Sequence, residues 1–310
     1  MNEMAYKHLT ELASEPEALE ETICYLHNRF STFLRKRDRV LICFDSAPGH
    51  LGYLMERAVL RCDAIPVIPE DLRWKTLLKA AFANRCSAIV GTPLLVLGLS
   101  KLAQRMRTPL YIRNVILAGY PSAGWMIDGI RKGLDCQIHG CYDPGAGLVV
   151  AGFSCNESGA VHLRSEQYSV EIVDQEGNAV PEGELGEVVI SPAGMPEVRF
   201  FTGDYARVSS APCSCDCSSI RVYDFDTVRC VDPDLSRLGE LLHQWTSVLD
   251  CRLFKTEYGL ELEIITFPGE KLPKLPSCAK QVIRNWNPET DAPFRHMHVL
   301  KNRLFSHNNS

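Results

Sequence analysis

The chain has 310 residues, 45% hydrophobic content and a formal net charge of −5, enough apolar material for a large core and, at this length, for two domains. A mildly acidic balance leaves no electrostatic footprint for nucleic acid. The one basic run, Arg35-Lys36-Arg37, suits a helix C-terminus, where cations meet the negative end of the dipole. The opening segment lacks a basic stretch followed by an apolar one, and no stretch reaches the roughly 18 apolar residues of a membrane span, so no membrane association is expected and the cytoplasm is the default location.

Ser14-Glu15-Pro16-Glu17 has the spacing of a capping box with Pro in the first turn. Leu19, Ile23, Leu26, Phe30 and Phe33 then recur on one helical face, which predicts an amphipathic helix over residues 15–37. Residues 39–44 form a continuous apolar strand run, followed by the turn Ser46-Ala47-Pro48-Gly49-His50-Leu51-Gly52 and another helix. That turn contains neither Gly-Lys-Ser/Thr nor Gly-Xaa-Gly-Xaa-Xaa-Gly, so it reads as a strand-to-helix connection rather than a phosphate loop. Three more strand-helix units follow: 64–68 with a helix from 73, 87–91 with a helix from 93, and 114–118 with a helix over 123–134. Such alternation argues for a largely parallel sheet covered by helices on both faces.

Residues 155–208 change character. Val170, Ile172, Leu185, Val188 and Ile190 lie in short β-rich runs, punctuated by the turns Glu176-Gly177-Asn178 and Pro181-Glu182-Gly183, so the segment reads as a twisted antiparallel ribbon ending in Phe200-Phe201-Thr202-Gly203-Asp204. Beyond it, Asp232-Pro233-Asp234-Leu235 opens a helix to about 249. Residues 253–254 and 260–267 read as a hairpin, 278–286 as a second helix and 296–300 as a last strand. Together these predict an α/β fold, a largely parallel sheet with helices on both faces plus a β-ribbon, followed by a small α+β C-terminal domain. The expected division is 1–208, a linker with a Cys cluster at 209–221, and 222–310.

Thirteen cysteines is a high count. Most stand singly in apolar runs, where a free Cys behaves as a small hydrophobe, so a disulfide framework is not indicated. Only Cys213-Ser214-Cys215-Asp216-Cys217 calls for chemistry. His296 and His298 alternate on the last expected strand and read as exposed strand histidines.

The linked motifs Gly183-Glu184-Leu185-Gly186-Glu187 and Arg199-Phe200-Phe201-Thr202-Gly203-Asp204 resemble the phenylacetate-CoA ligase branch of the adenylate-forming enzymes. The likeness runs from about 39 to 217 and more weakly to the end. It implies that Asp204 accepts hydrogen bonds from the ribose hydroxyls of AMP or ATP. It also implies that the loop Ala118-Gly119-Tyr120-Pro121, with Tyr120 where the family has Glu, lies against the adenine. A further shared detail is Cys155, His162, Cys213 and Cys215, with Cys217 as an alternative for the last; by resemblance these would hold a structural Zn²⁺, to which thiolates and imidazole are suited.

Three departures set the functional expectation. No Ser/Thr/Gly-rich phosphate loop with a Lys precedes residue 39 in these 310 residues. Gly145 falls where the family has the Glu that serves the phosphates and Mg²⁺, and nearby Asp143 sits in Asp-Pro-Gly, which is turn chemistry. Lys301 lies too early to match the family's C-terminal lysine loop. The reading is therefore a shortened ligase-like, AMP-binding pseudoenzyme, acting as a ligand-binding, regulatory or assembly subunit with an adenine nucleotide, an aryl or acyl carboxylate or another protein as partner. The alternative is an active ATP-dependent aryl- or acyl-CoA ligase.

Overall fold

Two helices, α1 (Asn2–Ser14) and α2 (Pro16–Phe30), precede the first strand in the computed structural model, which describes residues 2–122, 124–144, 149–155, 160–215, 217–226, 245–256, 259–270, 272 and 280–293. Ser14 does not cap α2; it closes α1, its hydroxyl donating back to the Glu11 carbonyl at 2.8 Å. Pro16 does take the first position of α2, where its missing N–H costs nothing. The helix expected over 15–37 ends at Phe30, because Ser31 to Leu34 tighten into turn bonds and Arg37 adopts a φ of 65° to swing the chain into the next strand.

Four strand-helix units and a fifth strand follow as β1 (Arg39–Ile42), α3 (Leu51–Arg61), β2 (Ile65–Val67), α4 (Trp74–Ala83), β3 (Ala88–Gly91), α5 (Pro93–Arg105), β4 (Asn114–Leu117), α6 (Gly124–Leu134) and β5 (Gln137–Tyr142). The strands pair in parallel in the order β2-β1-β3-β4-β5. Successive side chains of a strand face opposite ways, and here each face meets its own core. Val40, Ile42, Val90 and Ile116 join α1, α2 and α3 on one side. Leu41, Cys43, Ile89, Val115 and Leu117 join α4, α5 and α6 on the other. A strand buried on both faces needs apolar residues throughout, which is why these runs do not alternate with polar residues.

From β5 the sheet continues through β6 (Gly152–Ser154), β7 (Val161–Leu163), β8 (Tyr168–Val173), β9 (Gly186–Pro192), β10 (Phe200–Ser209) and β11 (Arg221–Asp226). Their order, β6-β7-β11-β10-β9-β8, is antiparallel throughout and completes eleven strands. Residues 209–221, expected as a linker, connect β10 to β11, and these two strands are direct neighbours in the sheet.

Helix α5 is buried from Pro93 to Ala103, as its all-round apolar sequence demands. One flank takes the ring of the fully buried Trp74, which lies so close that a methyl group at Gly98 would overlap it. The outer flank is covered by a second sheet of β12 (Val248–Thr256), β13 (Gly259–Thr266) and β14 (Lys280–Asn285). Leu249, Ile265 and Phe267 from this sheet belong to the same core as α4, α5 and α6. The Trp74 backbone N–H donates to the Asp291 carbonyl at 3.1 Å, and the Lys101 ammonium donates to the Val248 and Trp245 carbonyls at 2.9 and 3.2 Å.

The expected hairpin is present as β12 and β13. The expected helix at 278–286 is instead β14, lying parallel to β13 with Leu262 opposite Gln281 and Ile264 opposite Ile283. A short stretch holding Val282-Ile283 pairs with an available edge more readily than it sustains a helix. Residues 248–249, placed at the end of a helix by the sequence, open β12; residues 232–244 and 296–300 lie outside the described residues.

Candidate nucleotide-facing acid and candidate metal centre

Asp204 lies on β10 at an irregularity. The β9–β10 register shifts between Phe201 and Tyr205, and Gly203 adopts a φ of 74°, a conformation that costs glycine nothing. The alternation of faces continues through this irregularity. Here Phe200, Thr202, Asp204 and Ala206 all point into the core, which sets a carboxylate in a row that is otherwise apolar or hydroxylic. Asp204 is only 4% exposed.

Its environment is polar and built from the chain itself. The Tyr142 hydroxyl donates to Asp204 Oδ2 at 3.1 Å, and the Asp204 N–H donates to Thr202 Oγ1 at 3.1 Å. Thr202 passes its own proton to the Val188 carbonyl at 2.8 Å. Beside it, Glu187 accepts the Gly203 N–H at 3.0 Å; burial first, and then the neighbouring Asp204, push the Glu187 carboxyl above its ordinary value, against the Gly203 bond. Tyr142 is 2% exposed and lies against the ring of Phe225, centroid to centroid 4.9 Å. Burial and the Asp204 charge hold its phenol well above the usual range.

Tyr142 ends β5, so Asp204 is one hydrogen bond from the C-terminal end of a parallel strand. The neighbouring strand β4 pairs Leu117 with Gly140 of β5 and runs on into Gly119. The carboxyl ends of adjacent parallel strands are where open α/β sheets bind ligands. Gly119, with a φ of 92°, leaves its Cα facing Thr92 and the Phe44 ring. Tyr120 turns the other way: its hydroxyl accepts the Leu94 N–H at 3.0 Å and so caps the start of α5. The Asp143 carboxylate, weighed as a cation ligand, is 3% exposed and lies in the electrostatic reach of Tyr142 and Tyr168. Gly145 lies outside the described residues.

The second site lies between β7 and the β10–β11 connection. Cys155, His162, Cys213 and Cys215 place their ligand atoms within 4.8 Å of one another. Cys155 follows β6, His162 is the central residue of β7, and the two remaining thiols come from the turn that returns the chain to β11, whose Arg221 pairs with His162. The Cys155 and Cys213 sulfurs are 3.6 Å apart, and Cys215 Sγ is 3.3 Å from His162 Nε2. A tetrahedron with bonds of about 2.0–2.3 Å has edges of about 3.3–3.8 Å; these two separations lie in that range, and the donor set is one that suits a four-coordinate zinc. Cys213 is held below the ordinary thiol value by the Cys215 N–H and by bonds with Cys215, His162 and Cys155, against some burial, while Cys215, against the Cys217 N–H, is pushed the other way by burial and by the neighbouring Cys155 and Cys213.

Cys217 stands outside this group. Its sulfur is 3.1 Å from Ser219 Oγ, which in turn is 3.3 Å from His162 Nδ1. Ser219 thus occupies the outer position that fixes the ring of a metal-binding imidazole. The sequence carries no signal for Ser219. Tyr142, by contrast, sits in the Gly-Cys-Tyr-Asp-Pro-Gly run that drew attention for Asp143.

No protein-family model matches the sequence, and no curated protein matches it. Solved structures do. The architecture is that of the adenylate-forming ligases: a mostly parallel sheet with helices, continuing into an antiparallel part, plus a small second sheet. Among the similar structures is 2-hydroxyisobutyryl-CoA ligase in the postadenylation state in complex with 2-HIB-AMP, with a TM-score of 0.62 and 16% identity over 93% of this chain and 72% of that one. A benzoate CoA ligase from Burkholderia xenovorans LB400 gives 0.57 and 15% over 87% of this chain and 63% of that one. The amide bond synthetase McbA from Marinactinospora thermotolerans gives 0.54 and 15% over 93% of this chain and 66% of that one. At such identities the likeness is one of fold.

Proposed function

We propose that this chain is a relative of the phenylacetate-CoA ligase-like branch, which keeps an adenosine-binding acid and a structural zinc site but has Gly145 in place of the Glu that serves the phosphates there. The observation that carries this reading is Asp204: it points inward from β10, within one hydrogen bond of the end of β5, in a fold shared with ligases that include one solved with 2-HIB-AMP bound. A buried carboxylate with that address is suited to accept the paired hydroxyls of a ribose, and Gly119, at the end of the next strand, offers backbone for an adenine to lie against. Cys155, His162, Cys213 and Cys215 would hold the Zn²⁺, whose chemistry with four protein ligands is structural, tying β7 to the β10–β11 turn.

Adenylation develops negative charge at an α-phosphate, and enzymes meet it with preorganised counter-charge. In this chain Gly145 stands where the branch has its Glu. The chain is therefore read as a ligand-binding, regulatory or assembly subunit. The test is calorimetric titration with AMP, alongside carboxylate-dependent exchange of pyrophosphate into ATP. AMP binding weakened by about 1.5–3 kcal/mol in Asp204→Ala, the scale of hydrogen bonds to a charged group, with no exchange above background, is expected. Exchange within tenfold of an ordinary ligase on any aryl or acyl acid establishes the alternative, an active CoA ligase.

A further inference from the structure

The two nitrogens of the His162 ring face different groups. Nε2 is 3.3 Å from Cys215 Sγ, within the group of four ligand residues, while Nδ1 is 3.3 Å from Ser219 Oγ. A neutral imidazole carries one N–H and one bare nitrogen. For His162 to serve as a ligand on the Cys215 side, Nε2 has to be the bare one, so the proton sits on Nδ1 and the Ser219 oxygen accepts it. The opposite tautomer, with Ser219 donating to Nδ1 and the proton on Nε2, offers a metal nothing. A hydroxyl can play either part, and the choice turns on where its own proton goes. Cys217 Sγ lies 3.1 Å from Ser219 Oγ.

The sheet builds this arrangement. His162 of β7 pairs with Arg221 of β11, and Ser219 stands two residues before Arg221, so the pairing that sets the ring also sets the hydroxyl. His162 is 2% exposed, which leaves water little access to replace a lost partner, and a buried donor without an acceptor bears its desolvation cost in full.

We propose that Ser219 and Cys217 are positioning residues of the metal centre: Cys217 accepts the Ser219 proton, Ser219 accepts the Nδ1 proton, and Nε2 is left bare and aimed among the thiols. This rests on the reading of Cys155, His162, Cys213 and Cys215 as a zinc site and adds what holds its one imidazole. It also gives the third thiol of Cys213-Ser214-Cys215-Asp216-Cys217 a task outside the ligand set. Removing such an outer partner costs about tenfold to a hundredfold in metal affinity. Cys217 acts one bond further out and sulfur is a weak acceptor, so its removal costs less, in the same direction, by letting Ser219 turn its proton onto Nδ1.

The test is competition for zinc between a chromophoric chelator and the full metal-loaded chain under reducing conditions, set beside Ser219→Ala, Ser219→Thr, Cys217→Ala and Cys217→Ser. Thermal melting of each loaded variant checks that it is folded. Ser219→Ala should give up zinc at about tenfold to a hundredfold lower chelator strength, and Ser219→Thr, which keeps the hydroxyl, should recover most of the loss. Cys217→Ala should show a smaller loss, and Cys217→Ser, which keeps an acceptor, should lie nearer the unaltered chain. Absorption spectra with Co²⁺ in place of zinc separate positioning from ligation: the sulfur-to-cobalt charge-transfer intensity should be unchanged in all four variants and reduced in Cys213→Ser. If Ser219→Ala and Cys217→Ala both hold zinc as tightly as the unaltered chain, the positioning role is refuted while the zinc site stands. Charge-transfer intensity lost in Cys217→Ala would make Cys217 a ligand and refute it equally. A chain that takes up neither zinc nor Co²⁺ overturns the zinc reading, and this inference with it.

Discussion

Lys101 offers the sharpest test of how the second sheet is held. It lies on α5 at 9% exposure, and its ammonium donates to the Val248 and Trp245 carbonyls, beside Asp250, itself 1% exposed. Burial pulls its pKa from 10.5 down to about 8, with Cys251 and Asp250 opposing the shift. At 1.36 kcal/mol per unit, keeping this ammonium charged costs the folded state about 3 kcal/mol at neutral pH. Lys101→Met would remove that cost, yet it leaves two buried carbonyls without a donor, about 1–3 kcal/mol each, and Asp250 without its cation, about 3–5 kcal/mol. The balance is a loss of about 2–8 kcal/mol at pH 7.

The pH dependence gives the sign. Between about pH 8 and 10.5 the unfolded chain keeps the Lys101 proton while the folded chain releases it, so this group adds stability as pH rises through that window. The neutral amine can still donate to both carbonyls. Buried thiols such as Cys43, Cys141 and Cys251, all pushed up chiefly by burial, act in the opposite sense, because they ionise only on unfolding. The quantity to read is therefore the difference between the chain and Lys101→Met in urea unfolding under reducing conditions, at about pH 7 and about pH 9.5. That difference should widen at the higher pH. Parallel stabilities at both values, or a variant at least as stable as the chain at pH 7, would refute the reasoning.

Gly98→Val drives a branched side chain into the Trp74 ring and should cost about 1–3 kcal/mol or more in the same unfolding assay, whereas Gly124→Ala, with open space around it, should be neutral or mildly stabilising. Elemental analysis after purification without chelator should give one zinc per chain; Cys213→Ser should lose the metal and melt at a lower temperature, while Cys217→Ser should retain it. Arg113→Ala should flatten the acid limb of stability. The Asp38 carboxyl, which burial alone would raise, is held low by the Arg35 N–H, the Arg113 guanidinium and the Ser87 hydroxyl, so its contribution is present above about pH 4 and lost as pH falls.

The parallel half of the sheet was legible because strands buried on both faces write continuous apolar runs, as in 39–44 and 87–91, between helices of ordinary length. The inward turn of Asp204 was legible only as a motif. The irregularity beside it involves Gly203 and the Glu187 carboxylate sixteen residues earlier. Tyr142 stood in a run that drew attention, but its role did not, since its bond to Asp204 spans 62 residues and nothing local marks a tyrosine as a donor to a distant acid. Sequence left the last metal ligand open between Cys215 and Cys217. The turn settles which thiol lies in the group by aiming Cys215 at His162 and Cys217 at Ser219. β14 was misread because six residues with Val282-Ile283 carry too little periodicity to separate strand from helix, and an open edge on β13 decided the outcome.

The enclosure of α5 has a consequence for how the chain is made. Its outer flank is covered by residues that follow much later, Lys101 and Val248 being 147 positions apart. At synthesis rates of about 5–20 residues per second, that flank waits about 7–30 s for its cover. Throughout that interval Leu95, Leu99 and Leu102 belong to a helix whose three-sided packing is unfinished. A ribosome stalled after β11, or a stop codon there, would release a chain with its large sheet complete and an apolar helix face bare. Such fragments are natural clients for chaperones, and the last sixty or so residues of the chain act, in this sense, as the built-in replacement for one.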